Sequence, residues 1–355
     1  MVGIEIDSFE QLRQVDLFGA LTKTFADAES SNNLVFVKSN SELIRDEQTG
    51  MMCELKIVQG LASRPINRPS DPTSSADGAQ REKKEESKEE KEEKLAQVQS
   101  KNPFLLPEPE LTVSDDLLKD YRLILNKYPN SLDHFLMVTR KFVPQDTLLS
   151  PLELQLMYGI LKNLNDAKNG ARFFGFFNSG PQSGYSQYHK HMQFMRIPDN
   201  FPVFPDSVVN GVEAFLPGDL AHQKQPMKNN DLSFQHLILP LPSKFDDDEA
   251  CEDWLSMAYM ALVRRAMNIF KDSDLEFEKI SYNFLITDRW MMLVPRRFAH
   301  HGVIWINSLG FLGLFSTKNE ETKQVILDLG FSTILKEVGF PNDGQEHQPG
   351  PNEAY

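Results

Sequence analysis

One segment of the chain combines a glycine- and serine-rich loop with a regular alternation of polar residues, and it constrains the fold more than any other. Within residues 183–193, His189, His191 and Gln193 occupy every second position. Successive side chains of a β-strand point to opposite faces, so the sequence predicts that these three polar groups share one face of a sheet. The residues expected on the opposite face are Lys190, Met192 and Phe194. A strand with one polar face, entered from such a loop, indicates an active site.

The other segments alternate between strand-like and helix-like patterns. Runs of β-branched and aromatic residues predict strands at 51–58, 121–125, 134–139, 173–178, 234–242, 281–287 and 290–297. Apolar residues at helical spacing predict helices at 8–15, 151–164 and 254–270. Turn residues at 126–133 and 288–289 separate two pairs of these strands, which is typical of antiparallel hairpins. Strands joined by hairpins and separated by helices favour the α+β class.

Composition restricts the class of protein and its partners. The chain has 355 residues, of which 40% are hydrophobic and 25% charged, as is usual for a globular protein with a large core. Its net charge of -14 argues against non-specific binding to nucleic acid, which needs a basic surface. No apolar run is long enough for a transmembrane helix, and the first residues lack a signal-peptide pattern, so we expect no membrane partner. The two cysteines lie far apart in the sequence and cannot form a disulfide framework, so we expect a reducing compartment. We predict a monomer in the cytosol and also in the nucleus.

Two charged segments bear on the domain organisation. Residues 66–100 contain few apolar side chains, so burial cannot offset the entropy of ordering them, and we predict a disordered insertion or a solvated helix. We place an N-terminal catalytic region at 1–197, a C-terminal region at 198–342 and a flexible tail at 343–355. The acidic run at 246–253 is interpreted as the start of the 254–270 helix, where the helix dipole favours negative charge. We do not interpret this run as a calcium loop, because such a loop needs a glycine and a distal glutamate at set positions and the sequence has neither there.

His189 and His191 have three competing interpretations. Two histidines at alternating positions of a strand could bind a metal, but the other histidines of the chain show no recognisable ligand spacing. The imidazoles could also serve only as hydrogen-bonding groups in the core. That interpretation must explain why two histidines and a glutamine follow a loop containing Gly184 and Ser186. The third interpretation is covalent catalysis at a phosphate.

In the covalent interpretation, His191 is the nucleophile. A neutral imidazole can attack phosphorus when one ring nitrogen donates to a fixed acceptor, which leaves the lone pair on the other nitrogen. The preceding loop would offer backbone N–H groups and the Ser186 hydroxyl to phosphate oxygens. Gln193 could donate its amide to an oxygen that gains charge in the transition state.

The motif His189-Lys-His191-Met-Gln193 resembles the His-x-His-x-Gln motif of the nucleotidyltransferase branch of the histidine-triad superfamily. The longer segment 178–193 is similar to the diadenosine tetraphosphate (Ap4A) phosphorylase family, also called ATP adenylyltransferases, of fungi and related eukaryotes. The resemblance extends over nearly the whole chain outside the charged insertion, through the segments 102–104, 125–129, 234–242, 287–296 and 306–311. It implies a histidine-triad-like α+β fold with two related halves, like that of galactose-1-phosphate uridylyltransferase.

The resemblance also implies a reaction. His191 would take AMP from Ap4A as an adenylyl-histidine and release ATP, and inorganic phosphate would then remove the AMP as ADP, with His189 supporting the site. Hydrolases of the superfamily carry a third histidine where this chain has Gln193, and glutamine cannot shuttle a proton to activate water. The expected ligands are therefore dinucleoside polyphosphates, ATP, ADP and inorganic phosphate. No covalently bound cofactor and no protein metal site are expected, and Mg²⁺ could accompany the polyphosphate.

Positions that match the family's substrate contacts fall into three groups. Those expected to neutralise the polyphosphate and hold the nucleotide are Lys56, Asn126 and Lys127, for which solvation or an ordinary turn is the alternative. Those expected to form the phosphate cradle are Asn178, Gly184, Tyr185, Ser186 and Gln187. A second nucleotide contact is expected at Thr287, Asp288 and Arg289. Tyr185 departs from the small residue expected in this loop, which bears on base or phosphate-chain preference.

Two alternatives to this function stay open at the level of sequence. A hexose-1-phosphate uridylyltransferase would use the same covalent histidine chemistry on UDP-sugars, although the scarcity of cysteines and Lys190 argue mildly against it. A nucleotide- or metal-binding protein without turnover could keep the pocket, but His191 and Gln193 are both present.

Overall fold

The structure of the protein is a computed structural model that describes residues 3–36, 40–58, 60, 65–67, 88–167, 170–218, 222–273 and 279–342. Its strands in chain order are β1 (Glu5–Ile6), β2 (Ser41–Arg45), β3 (Met52–Ile57), β4 (Thr112–Leu117), β5 (Tyr121–Leu125), β6 (Phe135–Thr139), β7 (Phe173–Ser179), β8 (His191–Arg196), β9 (Leu237–Pro240), β10 (Tyr282–Ile286), β11 (Trp290–Pro295), β12 (His300–His301), β13 (Ile304–Trp305) and β14 (Leu314–Thr317). Its α-helices are α1 (Phe9–Gln14), α2 (Leu17–Ser30), α3 (Lys88–Ser100), α4 (Pro151–Asp166), α5 (Phe204–Val208), α6 (Asp248–Lys271), α7 (Glu320–Leu329) and α8 (Phe331–Val338). The α+β prediction is confirmed.

Nine strands form the main sheet in the order β1-β4-β5-β6-β8-β7-β10-β11-β9. β1 and β4 are parallel, and the other neighbouring pairs are antiparallel. Strands from both parts of the chain belong to this sheet, because β7 pairs with β10. Both large apolar clusters also contain residues from before and after position 198. The boundary predicted near that position therefore coincides with no break in the sheet or the core.

The two faces of the main sheet are covered differently. Phe173 and Phe177 of β7 point into the cluster that packs under α1, α2, α4 and α6. Phe174 and Phe176 point the other way, into a cluster shared with α7, α8 and a small sheet of order β14-β3-β2. Beside that second cluster, the surface of β5 and β6 carries a small apolar group that includes Phe104. Polar residues of β8 lie on this second face.

Most local elements agree with the sequence. Both predicted hairpins are confirmed as β5–β6 and β10–β11. α4 begins at the predicted cap, where Ser150 and Glu153 form a capping box. α6 starts within the acidic run rather than after it, because the Asp247 side chain accepts the backbone N–H of Ala250 and caps the helix.

The structure describes only part of the charged insertion. Residues 88–100 form α3, whereas residues 68–87 lie outside the described residues. Val98 is buried, and its carbonyl accepts a hydrogen bond from the Asn67 side chain at 2.9 Å. The C-terminal part of this mostly polar helix is therefore attached to the rest of the structure. The tail predicted at 343–355 also lies outside the described residues. No α-helix in the described ranges combines the length and the apolar character that a membrane crossing requires.

Candidate active site

The imidazole of His191 is held at the start of β8. Its Nδ1 lies 2.7 Å from the carbonyl oxygen of His189, which can only accept, so Nδ1 carries the proton. In the neutral ring the lone pair is then on Nε2. The ring is buried and lies 5.2 Å from the ring of Phe104. These contacts give the tautomer that nucleophilic attack through Nε2 requires.

His189 lies just before β8, and both of its ring nitrogens are engaged. Nε2 lies 2.8 Å from the Thr139 hydroxyl, which itself donates to the carbonyl of Lys141, so Nε2 is the donor to that hydroxyl. Nδ1 then accepts from the Asn102 amide at 2.8 Å, and Asn102 is oriented by the backbone N–H of Phe104. Burial lowers the pKa of His189 to about 4, so the ring is neutral at pH 7.

These contacts argue against the metal interpretation of the two histidines. His189 uses its only lone pair for Asn102, so it has none to offer a metal ion. Within the described ranges, no cluster of three or more histidine, cysteine, aspartate or glutamate side chains has metal-binding geometry. His189 instead supports the site, because its backbone carbonyl fixes the ring of His191.

Gln193 is oriented by His134, a residue to which the sequence assigned no role. The backbone N–H of Asn130 donates to Nδ1 of His134, so in the neutral ring the proton is on Nε2. That Nε2 lies 3.1 Å from Oε1 of Gln193. Because His134 binds the amide oxygen, the amide nitrogen of Gln193 is the end that remains to donate to a ligand.

A side-chain amide, that of Gln145, joins the ends of β7 and β8. Its Oε1 accepts the backbone N–H of His191 at 2.8 Å, and its Nε2 donates to the carbonyls of Asn178 and His191 at 2.9 and 3.2 Å. The register of the pair, in which Phe176 faces Gln193, continues to place Asn178 opposite His191. Gln145 therefore takes the place of a backbone ladder bond here and fixes these two residues next to each other.

Asn178 presents an unpaired donor. Its Oδ1 accepts from the backbone N–H and hydroxyl of Ser308 at 3.2 and 2.6 Å and from the Asn283 amide at 2.7 Å. Since a backbone N–H can only donate, the atom that faces it must be the oxygen, and Nδ2 is the opposite end. Nδ2 is buried without a hydrogen-bond partner among the described residues, as are Ser186 Oγ and Asn130 Oδ1. Of these three atoms, Asn178 Nδ2 and Ser186 Oγ are donors that can bind an acceptor atom of a ligand.

The loop before β8 is shaped by close packing against the chain that follows β13. Gly184 has φ +83°, and a Cβ there would lie 2.3 Å from the carbonyl oxygen of Ile306. Tyr185 is buried and stacks on Tyr188 with ring centroids 6.1 Å apart. Gln187 donates from Nε2 to the carbonyl of Pro65, which gives it a structural contact within the loop.

A cavity of about 620 Å³ adjoins this loop. Its walls are Ile66, Asn130, residues 184–186, residues 302–307, Leu309, Gly310 and residues 314–318 with parts of α7. His191 is not among the lining residues, so the cavity lies beside the loop and does not enclose the His191 imidazole. Asn130 connects the two, because it lines the cavity and binds His134, which holds Gln193. The volume is within the range of small-molecule sites.

Two of the predicted polyphosphate contacts, Lys56 and Asn126, lie on different elements. Lys56 of β3 is opposite Ser316, which lines the cavity, and it lies 3.6 Å from Glu54 on the same face of the strand. Burial lowers the pKa of Lys56. Asn126 is a turn residue, as its alternative interpretation stated, because its Oδ1 accepts the backbone N–H of Tyr128. Its Nδ2 lies 3.4 Å from Nε2 of His134, the nitrogen that donates to Gln193.

The remaining predicted contacts are Lys127 and the residues of the β10–β11 turn. Lys127 is half exposed and forms an ion pair with Glu108. Thr287, Asp288 and Arg289 form the β10–β11 turn, where they contact Trp290, Asn165 and Asp206, respectively. Asn283 is next to Asn178, so Thr287 is four residues, roughly 13 Å, along β10 from the site. The structure does not bring this turn together with His191, because residues 283 and 287 are at opposite ends of one strand.

Residues that sequence reasoning missed mainly hold other residues in place. They are Asn102, Asn130, His134, Gln145, Asn283, Arg296 and Ser308. Most of them act on partners far away in sequence, and none belongs to a pattern with fixed spacing. The segments 102–104, 287–296 and 306–311 did contribute to the family resemblance, which was the one signal that could have drawn attention to Asn102, Arg296 and Ser308.

Comparison with known proteins agrees with this geometry. The family profile described as Ap4A phosphorylase N-terminal domain matches residues 76–205, and that described as ATP adenylyltransferase C-terminal domain matches residues 230–341. The chain is 33% identical over 332 residues to diadenosine 5',5'''-P1,P4-tetraphosphate phosphorylase 2 of Saccharomyces cerevisiae, covering 90% of this chain and 93% of that protein. It is 31% identical over 350 residues to protein APA1 of the same yeast, covering 95% and 98%. The crystal structure of yeast Ap4A phosphorylase Apa2 superposes with a TM-score of 0.75 at 30% identity, covering 93% of this chain and 97% of that one.

Proposed function

We infer that this chain, which belongs to the Ap4A phosphorylase family, cleaves diadenosine tetraphosphate with inorganic phosphate to ATP and ADP through an adenylyl-His191 intermediate. The single observation that carries the mechanism is the bond from Nδ1 of His191 to the carbonyl of His189 at 2.7 Å. It places the lone pair of the neutral imidazole on Nε2. A solved structure of the yeast relative contains Ap4A itself, and another contains AMP.

The reaction proceeds in two transfers. Nε2 of His191 attacks the α-phosphorus of one adenosine, a nitrogen–phosphorus bond forms, and the bond from that phosphorus to the bridging oxygen breaks as ATP leaves. An oxygen of inorganic phosphate then attacks the same phosphorus and displaces Nε2. The products of the second transfer are ADP and neutral His191, so the enzyme is restored.

Donors around His191 stabilise the charge that the non-bridging oxygens carry in both transfers. Asn178 Nδ2 and Ser186 Oγ are buried and have no partner in the described structure, and Gln193 directs its amide nitrogen away from His134. A donor of this type that is fixed before the reaction contributes about 10²–10³-fold to the rate. Gln145 keeps Asn178 next to His191 without using the Asn178 side chain.

The cavity takes the part of the substrate that lies beyond the reacting phosphate. It begins at the Gly184–Ser186 loop and ends at residues 314–318. There Lys318 supplies positive charge, and Ser316, which is opposite Lys56, supplies a polar group. A polyphosphate needs such cations to offset its own charge. We propose that Mg²⁺, where it takes part, is bound by the polyphosphate rather than by a cluster of protein ligands.

Gln193 favours phosphate over water as the acceptor. An amide cannot remove a proton from water, whereas inorganic phosphate at neutral pH is already an anionic nucleophile. The carboxamide can donate to the acceptor or to the transferred phosphate without changing its own protonation state. This residue is the reason to propose a transferase rather than a hydrolase.

The test is to incubate the purified protein with Ap4A, with and without inorganic phosphate, and to identify the nucleotides formed. We expect equal amounts of ATP and ADP that depend on phosphate, and labelled AMP trapped on the protein when phosphate is omitted. UDP-glucose with a hexose 1-phosphate serves as the matched control for the uridylyltransferase alternative. Formation of two ADP molecules, or turnover that does not respond to phosphate, would contradict the proposal.

A further inference from the structure

Arg296 is a fully buried cation without a carboxylate partner in the described part of the chain. It follows β11, has no exposed surface, and burial lowers its pKa to about 9. Buried charges are normally paired with an opposite charge, because removing an ion from water costs several kcal/mol. None of the ion pairs in the described residues includes Arg296, and its only ring contact is the face of Phe311. In the described part of the chain, no carboxylate therefore neutralises this buried charge, which lies close to the proposed polyphosphate site.

The hydrogen bonds of Arg296 reach both walls of the cavity. Nη1 donates to the carbonyl of Ser183, directly before Gly184, at 3.2 Å. Nη2 donates to the carbonyl of Ile306 at 2.9 Å, and that same carbonyl is the atom against which Gly184 packs. The other acceptors of the guanidinium are the carbonyls of Val338 and Phe298 and the side chain of Asn283. One rigid, planar group therefore sets the spacing between the phosphate loop and the 306–308 segment.

Asn283 transmits this arrangement to Asn178. Arg296 Nη1 donates to Oδ1 of Asn283 at 2.5 Å, so the other end of that amide, Nδ2, points to Oδ1 of Asn178 at 2.7 Å and to the carbonyl of Ser183 at 2.9 Å. Ser308, next to the other wall, supplies two more donors to the same oxygen. The orientation of the Asn178 amide is thus fixed jointly by Ser308 and by a chain that begins at the guanidinium.

We propose that Arg296 and Asn283 are positioning residues for adenylyl transfer, which orient the Asn178 amide so that its Nδ2 donates to the phosphate attached to His191. Neither residue touches the substrate in this arrangement. Arg296 holds Asn283 and the loop, Asn283 holds Asn178, and Asn178 contacts the reacting group. The inference rests on the proposed function, since it assigns a role within that reaction.

The decisive variant is Asn283→Asp. It has nearly the same shape and keeps an oxygen for Arg296, but it replaces the donor with an acceptor opposite the Asn178 oxygen. The two oxygens repel each other, so the Asn178 amide loses its orientation while the strand remains in place. We expect the single-turnover rate of adenylyl-His191 formation from labelled Ap4A to fall about 10²-fold. The dissociation constant for AMP should change by no more than about threefold, because the charge that Asn178 stabilises develops mainly in the transition state.

Arg296→Lys and Arg297→Lys form a matched pair. Lysine keeps the charge but has only three donors for the five acceptors of Arg296, and we expect about a 10-fold lower single-turnover rate. Arg297 is half-buried, lies over the ring of Phe298 and contacts no residue of the site, so its variant should transfer AMP at the wild-type rate. Thermal unfolding and circular dichroism identify any variant that fails to fold.

The outcomes separate this inference from the proposed function. If the wild-type protein forms no adenylyl-histidine, the proposed function fails. If the wild type labels and folded Asn283→Asp labels at the same rate, or if its AMP affinity falls by the same factor as its rate, the positioning role is wrong. Should Asn283→Asp not fold, the arginine pair decides, and equal rates for the two lysine variants would overturn the inference.

Discussion

Two strands of this protein carry a histidine in the same backbone arrangement, yet we propose a reactive role for only one of them. In the first, Nδ1 of His191 donates to the carbonyl two residues earlier at 2.7 Å. In the second, which leads into β9, Nδ1 of His236 lies 2.9 Å from the carbonyl of Phe234, again two residues earlier. Both rings are buried and both have the proton on Nδ1 when neutral. The bond that fixes the tautomer is thus a property of the strand and not sufficient for catalysis.

The difference lies in what surrounds each ring. Nε2 of His236 accepts the backbone N–H of Asn229 at 2.8 Å, so its lone pair is already used. Around it, the residues at the flanking positions are Phe234 and Ile238, where the first strand has His189 and Gln193. β8 is also an inner strand next to the Gly184 loop, whereas β9 is at the edge of the sheet. A reactive imidazole therefore requires polar neighbours on the same face in addition to the correct tautomer.

Replacing each histidine by alanine tests this comparison most directly. His191→Ala removes the atom that forms the bond to phosphorus, so we expect the rate of Ap4A phosphorolysis to fall by at least about 10⁴-fold and the trapping of labelled AMP to disappear. His236→Ala should lose about 3 kcal/mol of stability, because it leaves a cavity and an unpaired N–H of Asn229. Its activity per folded molecule should match the wild type.

Rates are measured with purified protein, and the folded fraction is taken from urea unfolding. Continued trapping of AMP in His191→Ala would move the nucleophile elsewhere. Loss of activity in well-folded His236→Ala would show that the second strand takes part in the chemistry, and the distinction between the two strands would then be wrong.

Gln193→Ala tests the polar neighbour that the second strand lacks. The change removes the amide that His134 orients and leaves the nucleophile in place. We expect the single-turnover rate to fall by about 10²–10³-fold while AMP still binds, since the donor acts mainly on charge that develops in the transition state. Binding is measured by calorimetry and transfer by rapid quench. A variant with wild-type transfer would remove Gln193 from the mechanism.

The predictable parts of this protein are local. Alternation along residues 189–194 was enough to place Lys190, Met192 and Phe194 on the opposite face from His191, and the structure confirms it, since Lys190 pairs with Glu153 there. Hairpins followed from short turns. In contrast, the pairing of β3 with β14 and of β7 with β10 depends on tertiary packing between distant segments, and no pattern in either segment encodes its partner.

The same limit applies within the site. His189, His191, Gln193, Asn178 and the Gly184 loop lie in one continuous segment, where spacing and resemblance are informative. The residues that orient them, such as His134, Gln145 and Arg296, come from separate elements, and each is chosen by a hydrogen-bonding geometry that exists only in the folded chain. The β10–β11 turn matched the family pattern in sequence but lies away from His191.

His134→Ala tests whether the orientation of Gln193 matters in the first strand. The variant frees Oε1 of Gln193, so its amide can rotate and present oxygen in place of nitrogen to the substrate. We expect about a 10-fold lower single-turnover rate, in the range typical for loss of an orienting partner. If His134 acts through Gln193, the double variant with Gln193→Ala should be no slower than Gln193→Ala alone. Additive losses in the cycle would assign His134 an independent role.

The smallest expected effect is a loss of folding stability at acidic pH. It arises from the low pKa of a buried histidine, which His236 and His189 have in common. Burial lowers the pKa of His236 to about 4. The unfolded chain binds a proton at this histidine below about pH 6.5, whereas the folded chain does so only near pH 4, so stability falls as the pH decreases through that window. For His236 alone the loss between pH 7.5 and pH 5 should be about 2 kcal/mol. His236→Gln removes the titrating ring, so its free energy of unfolding in urea should decrease by that much less than the wild type's over the same interval. An equal decrease in both proteins would mean that the His236 ring is already protonated, or is solvated, in the folded state.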